Sequence, residues 1–68
     1  MNELIFIVEE DVEGGYRARA VGESIHTQAE TVEELHANVR DAVACHFEEH
    51  PPQLIRLHYV KDEILAYA

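Results

Sequence analysis

A chain of 68 residues has room for one domain and no second one. Its 14 acidic and 5 basic side chains give a net charge of −9, which would repel nucleic acid, so direct binding of DNA or RNA is not expected. Cys45 is the single cysteine, which excludes an internal disulfide and favours a reducing compartment. The N-terminus lacks signal-peptide features and no apolar run approaches the ~20 residues that span a bilayer. We therefore expect a soluble, cytoplasmic protein.

The first part of the chain predicts three strands joined by tight turns. Leu4–Val8 is a run of apolar residues, which predicts a central strand with both faces covered. The acidic stretch Glu9–Gly15 predicts a turn, because its two final glycines can adopt positive φ angles. Tyr16–Ala20 alternates between apolar and charged residues and predicts a half-exposed strand, and Ser24–Ala29 predicts a third, more polar strand.

A helix is predicted from Val32 to Glu49. Thr31 followed by Glu34 forms a capping box, in which the two side chains satisfy amide groups at the helix start. Pro51 and Pro52 end the helix, because a residue before proline is pushed out of the α region. Between these signals, apolar residues recur at helical spacing and form one stripe. The stripe consists of Val32, Leu35, Val39, Ala42, Val43, His46 and Phe47.

Leu54–Val60 alternates again and predicts a fourth strand. Residues 61–67 either continue it as a bulged strand or form a short hairpin. Because the helix returns the chain to its starting end, the fourth strand can lie parallel to the first, with a sheet order of 3-2-1-4. The predicted fold is α+β, β-β-β-α-β, with one helix packed on one face of a mixed sheet. The other face needs a partner, and we expect a homo-oligomer or a bound protein.

The order and spacing of several segments over residues 4 to 60 resemble the HicB antitoxin family. They are Glu13-Gly14-Gly15-Tyr16-Arg17-Ala18, Ser24–Ala29, Thr31–Leu35 and Asn38–Ala42. The resemblance implies that residues 1–68 form a single HicB-like domain with a partial ribonuclease-H-like fold. It further implies an antitoxin that binds and occludes HicA, a small basic toxin that cleaves mRNA. Many HicB proteins also carry a C-terminal DNA-binding element, which we do not expect here.

Charge complementarity to a basic toxin predicts where the partner would bind. The candidate residues are the acidic turn and the exposed helix face: Glu9, Glu10, Asp11, Glu13, Glu33, Asp41 and Glu48. A stand-alone oligomeric protein-interaction domain is the alternative. We expect no catalytic residue, cofactor or metal.

Two features of the sequence have counterparts in enzymes. His46-Phe47-Glu48-Glu49-His50 matches the H-x-x-E-H zinc-protease pattern, but His50 directly precedes Pro51, where helical geometry fails. Cys45 could act as a nucleophile only with a base beside it and a lowered pKa, and no accompanying motif supplies one. A free, partly buried cysteine is the simpler interpretation, and we expect that the protein is not an enzyme.

Overall fold

The computed structural model describes residues 2–68, which form four strands and one helix. The elements are β1 (Glu3–Glu10), β2 (Tyr16–Ala20), β3 (His26–Ala29), α1 (Val32–His46) and β4 (Leu54–Val60). They form one mixed sheet in the order β3-β2-β1-β4, with α1 packed on one face. The predicted α+β class and the predicted sheet order are confirmed.

Strand β1 is the centre of the sheet. It pairs antiparallel with β2, where Phe6 lies opposite Ala20, and parallel with β4, where Phe6 lies opposite Leu57. The parallel pairing requires a long connection, which α1 provides: 15 helical residues span roughly 22 Å, close to the length of the strands. The helix therefore returns the chain to the end of the sheet at which β1 begins.

The core lies on the face of the sheet that α1 covers. Successive side chains of a strand point to opposite faces, and in β1 the alternate residues Leu4, Phe6 and Val8 are buried. Phe6 and Leu35 are completely buried there. The buried apolar residues are Leu4, Phe6, Val8, Ala18, Ala20, Ile25, Ala29, Leu35, Val39 and Val43.

The expectation that both faces of β1 are covered is wrong for the single chain. Ile5 is 36% exposed and Ile7 is only partly buried, because one helix covers one face of a sheet and no other element of residues 2–68 packs on the second. We call this second face, which carries Ile5, Ile7, Arg17, Arg19 and His58, the open face.

The predicted helix start is confirmed. Thr31 is the N-cap, and its hydroxyl accepts a hydrogen bond from the backbone N–H of Glu34 at 3.1 Å. The Glu34 carboxylate in turn accepts the N–H of Glu30 at 3.4 Å. A carboxylate at this position also interacts favourably with the positive end of the helix dipole.

The predicted helix end at Glu49 is wrong. The helix ends at His46, and Phe47 is the C-cap, with φ −113° and ψ 84°. The Phe47 side chain packs against the core, and its ring meets the His46 ring edge to face at a centroid distance of 4.8 Å. Because the helix ends at His46, the Phe47 side chain can bury apolar surface against the core. The same early end places Glu48 after the helix instead of on its exposed face.

The glycine turn between β1 and β2 is formed as predicted, with Gly14 at φ +102° and Gly15 at φ +88°. The Asp11 backbone N–H donates to the Gly15 carbonyl at 2.9 Å, and the Asp11 carboxylate accepts the N–H of Glu13 at 3.1 Å. Gly15 also lies close to β3, since a Cβ at this position would come within 3.0 Å of the Ala29 carbonyl oxygen. The turn is therefore fixed both by its own hydrogen bonds and by its contact with β3.

Two other boundaries differ from the predictions. Strand β3 begins at His26 and not at Ser24. Residues 61–68 form neither a bulged continuation of β4 nor a hairpin. In the part of the chain that the structure describes, the helix is too short and too polar to cross a membrane.

Substitutions of Phe6 and of its neighbour Ile5 test whether the core lies on one face of the sheet only. Phe6→Ala should destabilise the domain by about 3–5 kcal/mol, because it leaves a cavity in the core. A domain of this size has only roughly 3–5 kcal/mol of stability, so this variant should be largely unfolded. Ile5→Ala, on the open face, should cost about 1 kcal/mol or less. Urea denaturation of both variants and of the milder Phe6→Leu measures these differences. Equal losses at positions 5 and 6 would contradict a core on one face only.

Gly15→Ala and Gly14→Ala test the contact between the turn and β3. Both substitutions impose a positive φ on an L-residue, at about 1–2 kcal/mol. Only the Cβ at position 15 meets a backbone oxygen; the one at position 14 meets open space. Thermal unfolding should therefore give a lower Tm for Gly15→Ala than for Gly14→Ala. The opposite order would show that the close approach to Ala29 has no energetic effect.

Candidate protein-binding site

The topology brings most of the acidic residues to one end of the sheet. The end of β1, the turn that follows it, the end of β3, the start of α1 and the end of β4 all lie there. We call this region the acidic end. It holds nine of the chain's 14 acidic residues: Glu9, Glu10, Asp11, Glu13, Glu30, Glu33, Glu34, Asp62 and Glu63.

Two shallow surface depressions show that these segments are neighbours. One is lined by residues of the β1–β2 turn together with residues that follow β4, among them Glu10, Asp11 and Asp62. The other joins the same turn to the end of β3 and the start of α1, through Asp11, Glu30 and Glu34. Asp11 lines both depressions and so connects the acidic residues of the two.

Few cations offset the charge of the acidic end. Arg17 and Lys61 are the basic residues near it, so nine carboxylates against two cations leave a local charge of −7. The Arg17 guanidinium lies 3.9 Å from the Asp11 carboxylate, and the two side chains are 62% and 40% exposed. An exposed pair at this distance neutralises little of the field.

The carboxylates of the acidic end are spread over a surface and do not converge on a point. Within residues 2–68, no group of three or more His, Cys, Asp or Glu side chains is placed to hold a metal ion. A dispersed array of exposed carboxylates offers many separate acceptors for the ammonium and guanidinium groups of another protein. The arrangement therefore matches an extended basic surface better than it matches a single cation.

The structure divides the predicted partner-binding residues into two groups. Glu9, Glu10, Asp11, Glu13 and Glu33 lie together at the acidic end. Asp41 and Glu48 are exposed but do not join them: Asp41 is in the second half of α1 and Glu48 follows its last residue, towards the opposite end of the sheet.

Sequence reasoning missed four members of the acidic end: Glu30, Glu34, Asp62 and Glu63. Each follows a strand or opens the helix at the same end of the sheet as the β1–β2 turn. The predicted sheet order would have placed these four residues at the acidic end, because the order and direction of the strands determine which loops meet at each end of the sheet.

The H-x-x-E-H pattern does not form the geometry of a zinc protease. Because α1 ends at His46, His50 is not one helical turn further along the same helix. The His46 Nε2 atom instead lies 2.9 Å from a Glu23 carboxylate oxygen. Cys45 is exposed, contrary to the expectation of partial burial.

Basic residues that are scattered along the sequence meet on the open face. Arg17 and Arg19 lie there on β2, opposite Gln28 and His26 of β3, and Arg56 lies there on β4. These are three of the five Lys and Arg residues. Glu3 and Glu9 of β1 lie on the same face, so the three arginines there offset two carboxylates, in contrast to the strongly negative acidic end.

Arg56 forms a two-point ion pair with Glu3 across the parallel strands β1 and β4. Its Nε and Nη2 atoms donate to the two Glu3 carboxylate oxygens at 2.7 and 3.1 Å. The hydrogen bond from Arg56 holds the pKa of Glu3 below its ordinary value of 4.5; desolvation opposes this shift, and the charge of Arg56 adds to it. The same hydrogen bond raises the pKa of Arg56.

This ion pair predicts a pH dependence of stability with a defined sign. The pKa of Glu3 is lower in the folded chain than in the unfolded chain. The stabilisation by the Glu3–Arg56 pair is therefore complete above about pH 4.5. It is lost as the pH falls through the pKa of Glu3 in the folded chain. Wild type should have a higher Tm than Glu3→Gln at neutral pH, and the difference should shrink at acid pH. Glu63→Gln, outside the strands, is the control and should show no such pH-dependent difference.

Comparison with known proteins shows two similar chains. The sequence is 42% identical over 64 residues to a UPF0150 protein of Thermotoga maritima, covering 94% of this chain and 91% of the relative. It is 61% identical over 46 residues to a UPF0150 protein of Archaeoglobus fulgidus, covering 68% of each. No family model matches the sequence. No solved structure matches it either.

Proposed function

We propose that this chain, which belongs to the UPF0150 family, is a HicB-like antitoxin-type module that binds and occludes a small basic HicA-like toxin. The observation that carries the proposal is the acidic end, where the topology gathers nine of the 14 acidic residues at one end of the sheet. The resemblance of its segments to the HicB family supplies the identity of the partner.

The proposed mechanism is competition for a basic surface. A ribonuclease that cleaves mRNA must hold phosphates with lysine and arginine side chains, and those contacts dominate its affinity for RNA. The acidic end presents carboxylates to the same side chains. Its field also accelerates the encounter of the two proteins, an effect that weakens as salt is added. Toxin and antitoxin would meet in the cytoplasm, where the mRNA is.

This role requires no catalytic residue on the antitoxin. A ribonuclease H reaction needs several carboxylates gathered around two metal ions, and the carboxylates of the acidic end are spread apart. A fold of this type can act by steric exclusion alone, because function is located in sites and not in the fold. We therefore propose a binding protein that has no cofactor.

The alternative is a stand-alone oligomeric protein-interaction domain. The observation that favours it is the exposed apolar surface of Leu54, Val60 and the residues after them. A binding measurement with the protein encoded by the neighbouring gene distinguishes the two roles. A short basic protein that binds this chain tightly supports the antitoxin, whereas an oligomer with no affinity for such a protein supports the alternative.

Charge reversal at the acidic end tests the proposal. The triple variant Glu10→Lys, Glu13→Lys and Glu33→Lys changes exposed residues and leaves intact the Asp11 and Glu34 carboxylates, which hold the turn and the helix start. Against a purified HicA-like toxin, it should raise Kd by about a hundredfold or more, since each close charge pair contributes substantially to coupling. It should also no longer inhibit mRNA cleavage. Calorimetry and a cleavage assay measure the two effects.

A matched triple variant controls for the change in net charge. Asp41→Lys, Glu48→Lys and Glu49→Lys alters the charge by the same amount on exposed residues away from the acidic end. It should reduce binding only slightly. Equal losses in the two triple variants would mean that net charge alone matters, and a larger loss in the control would move the partner site to the other end.

A further inference from the structure

The uncovered apolar side chains are concentrated in the last quarter of the chain. Nine large hydrophobic residues are exposed within residues 2–68, and six of them lie between positions 54 and 67. These six are Leu54, Tyr59, Val60, Ile64, Leu65 and Tyr67. A single exposed apolar residue is ordinary, but six within one strand and the segment after it mark an interaction surface.

Strand β4 lacks most of the features that usually protect an edge strand; Arg56 is its one charged residue. It pairs only with β1, so its other edge is open along seven residues. None of its side chains is buried, because α1 packs mainly on β3 and β2. Edge strands are normally blocked by proline, lysine or a bulge, and Leu54–Val60 contains no proline or lysine and pairs with β1 without a break in register.

The hydrogen-bond pattern shows which backbone groups are free. The Leu54 N–H donates to the Asn2 carbonyl at 2.9 Å, and Leu54 lies opposite Glu3. In a parallel pair this directs the backbone groups of every second residue, beginning with Leu54, towards β1. The N–H and C=O groups of Ile55, Leu57 and Tyr59 therefore point out of the sheet, where another strand can pair with them.

Charge determines which strand can approach this edge. Two copies that each carry −9 repel one another at most surfaces. Residues 50–61, however, contain no aspartate or glutamate and form the longest stretch of the sequence without one. Arg56, the charged residue within β4, is already paired with Glu3. The β4 edge is thus a part of the surface at which a second copy meets little repulsion.

We propose that β4 of a second copy pairs with this β4 in antiparallel orientation, around a two-fold axis that passes through Leu57. Centring the pair on Leu57 uses all the outward backbone groups, since Leu57 then exchanges both hydrogen bonds with its counterpart. Ile55 exchanges both with Tyr59 of the second copy. The result is a continuous eight-stranded sheet.

The antiparallel arrangement also agrees with the charge distribution. It places the two acidic ends at opposite ends of the dimer, as far apart as the sheet allows, and leaves both exposed for another protein. On the face that carries α1, Ile55, Leu57 and Tyr59 of the two copies form one apolar stripe. There, half-buried Ile55 and Leu57 line a groove beside His36 and Arg40 that the second copy would narrow.

The segment after β4 extends the same interface. The molecule measures 55 × 20 × 17 Å, and its long dimension exceeds the roughly 27 Å of an eight-residue strand, so residues 61–68 project beyond the sheet. In the antiparallel pair they run past the beginning of β4 in the second copy. Ile64, Leu65 and Tyr67 then lie against another chain and not in solvent.

A charge-swap experiment tests the two-fold axis at Leu57. Leu57→Lys and Leu57→Glu each place like charges directly opposite one another, and each should weaken dimerisation at least about tenfold. An equimolar mixture should restore a heterodimer, because lysine then faces glutamate. Sedimentation equilibrium and native mass spectrometry measure these states without any toxin, so a failure here is distinguishable from a failure of the proposed function.

Val12→Lys and Val12→Glu are the matched controls. Val12 is 96% exposed in the β1–β2 turn, and both variants should dimerise like the wild type. The wild type should be a dimer at micromolar concentration. A monomeric wild type, a Leu57→Lys variant that still dimerises, or a mixture that stays monomeric would each overturn the proposal.

A disulfide cross-link provides a second test that does not disturb the half-buried position 57. In a Cys45→Ser background, Leu54→Cys and Val60→Cys change exposed residues that would face each other across the two-fold axis. Mild oxidation should give a covalent dimer in the double variant, and little in either single variant. Failure of the folded double variant to cross-link would exclude the register centred on Leu57.

Discussion

A single helix must cover a four-stranded sheet, and the rest of the structure depends on that constraint. Strands are spaced about 4.8 Å apart, whereas a helix with its side chains is roughly 10 Å wide. Helix α1 can therefore lie over only part of the sheet, and it packs on β3 and β2. Leu4, Phe6 and Val8 of β1 are still buried, but β4 is left with no buried residue. One face and one edge of the sheet remain open.

The crossover connection through α1 also determines where the acidic residues lie. Because α1 carries the chain back before β4 begins, β1, β3 and β4 all end at the same end of the sheet. The loops there are acidic, and α1 starts there with carboxylates that suit its dipole. The middle of the sheet has to remain apolar on its covered face, so charged residues are confined to the loops, the exposed side of the helix and the open face. A separated acidic end is the consequence.

The agreement between sequence and structure is best where local chemistry acts alone. The Thr31–Glu34 cap and the Gly14–Gly15 turn depend on neighbouring residues, and both form where they are predicted. The helix end depends on distant contacts: Phe47 leaves α1 to reach the core, several residues before the prolines would force an end. Residues 61–68 have an apolar pattern but do not pack on the rest of the chain, and the pattern alone does not predict this exposure.

The sequence by itself determined the element types, the sheet order and the excess of negative charge, because periodicity, turn chemistry and composition are local or additive properties. Only the tertiary structure decided which charges share a surface. It joined Asp62 and Glu30 to the turn around Asp11, separated Asp41 and Glu48 from it, and gathered Arg17, Arg19 and Arg56 on the open face. Residues far apart in the chain become neighbours through strand pairing and register, which set the side chains that meet across strands and the loops that meet at each end.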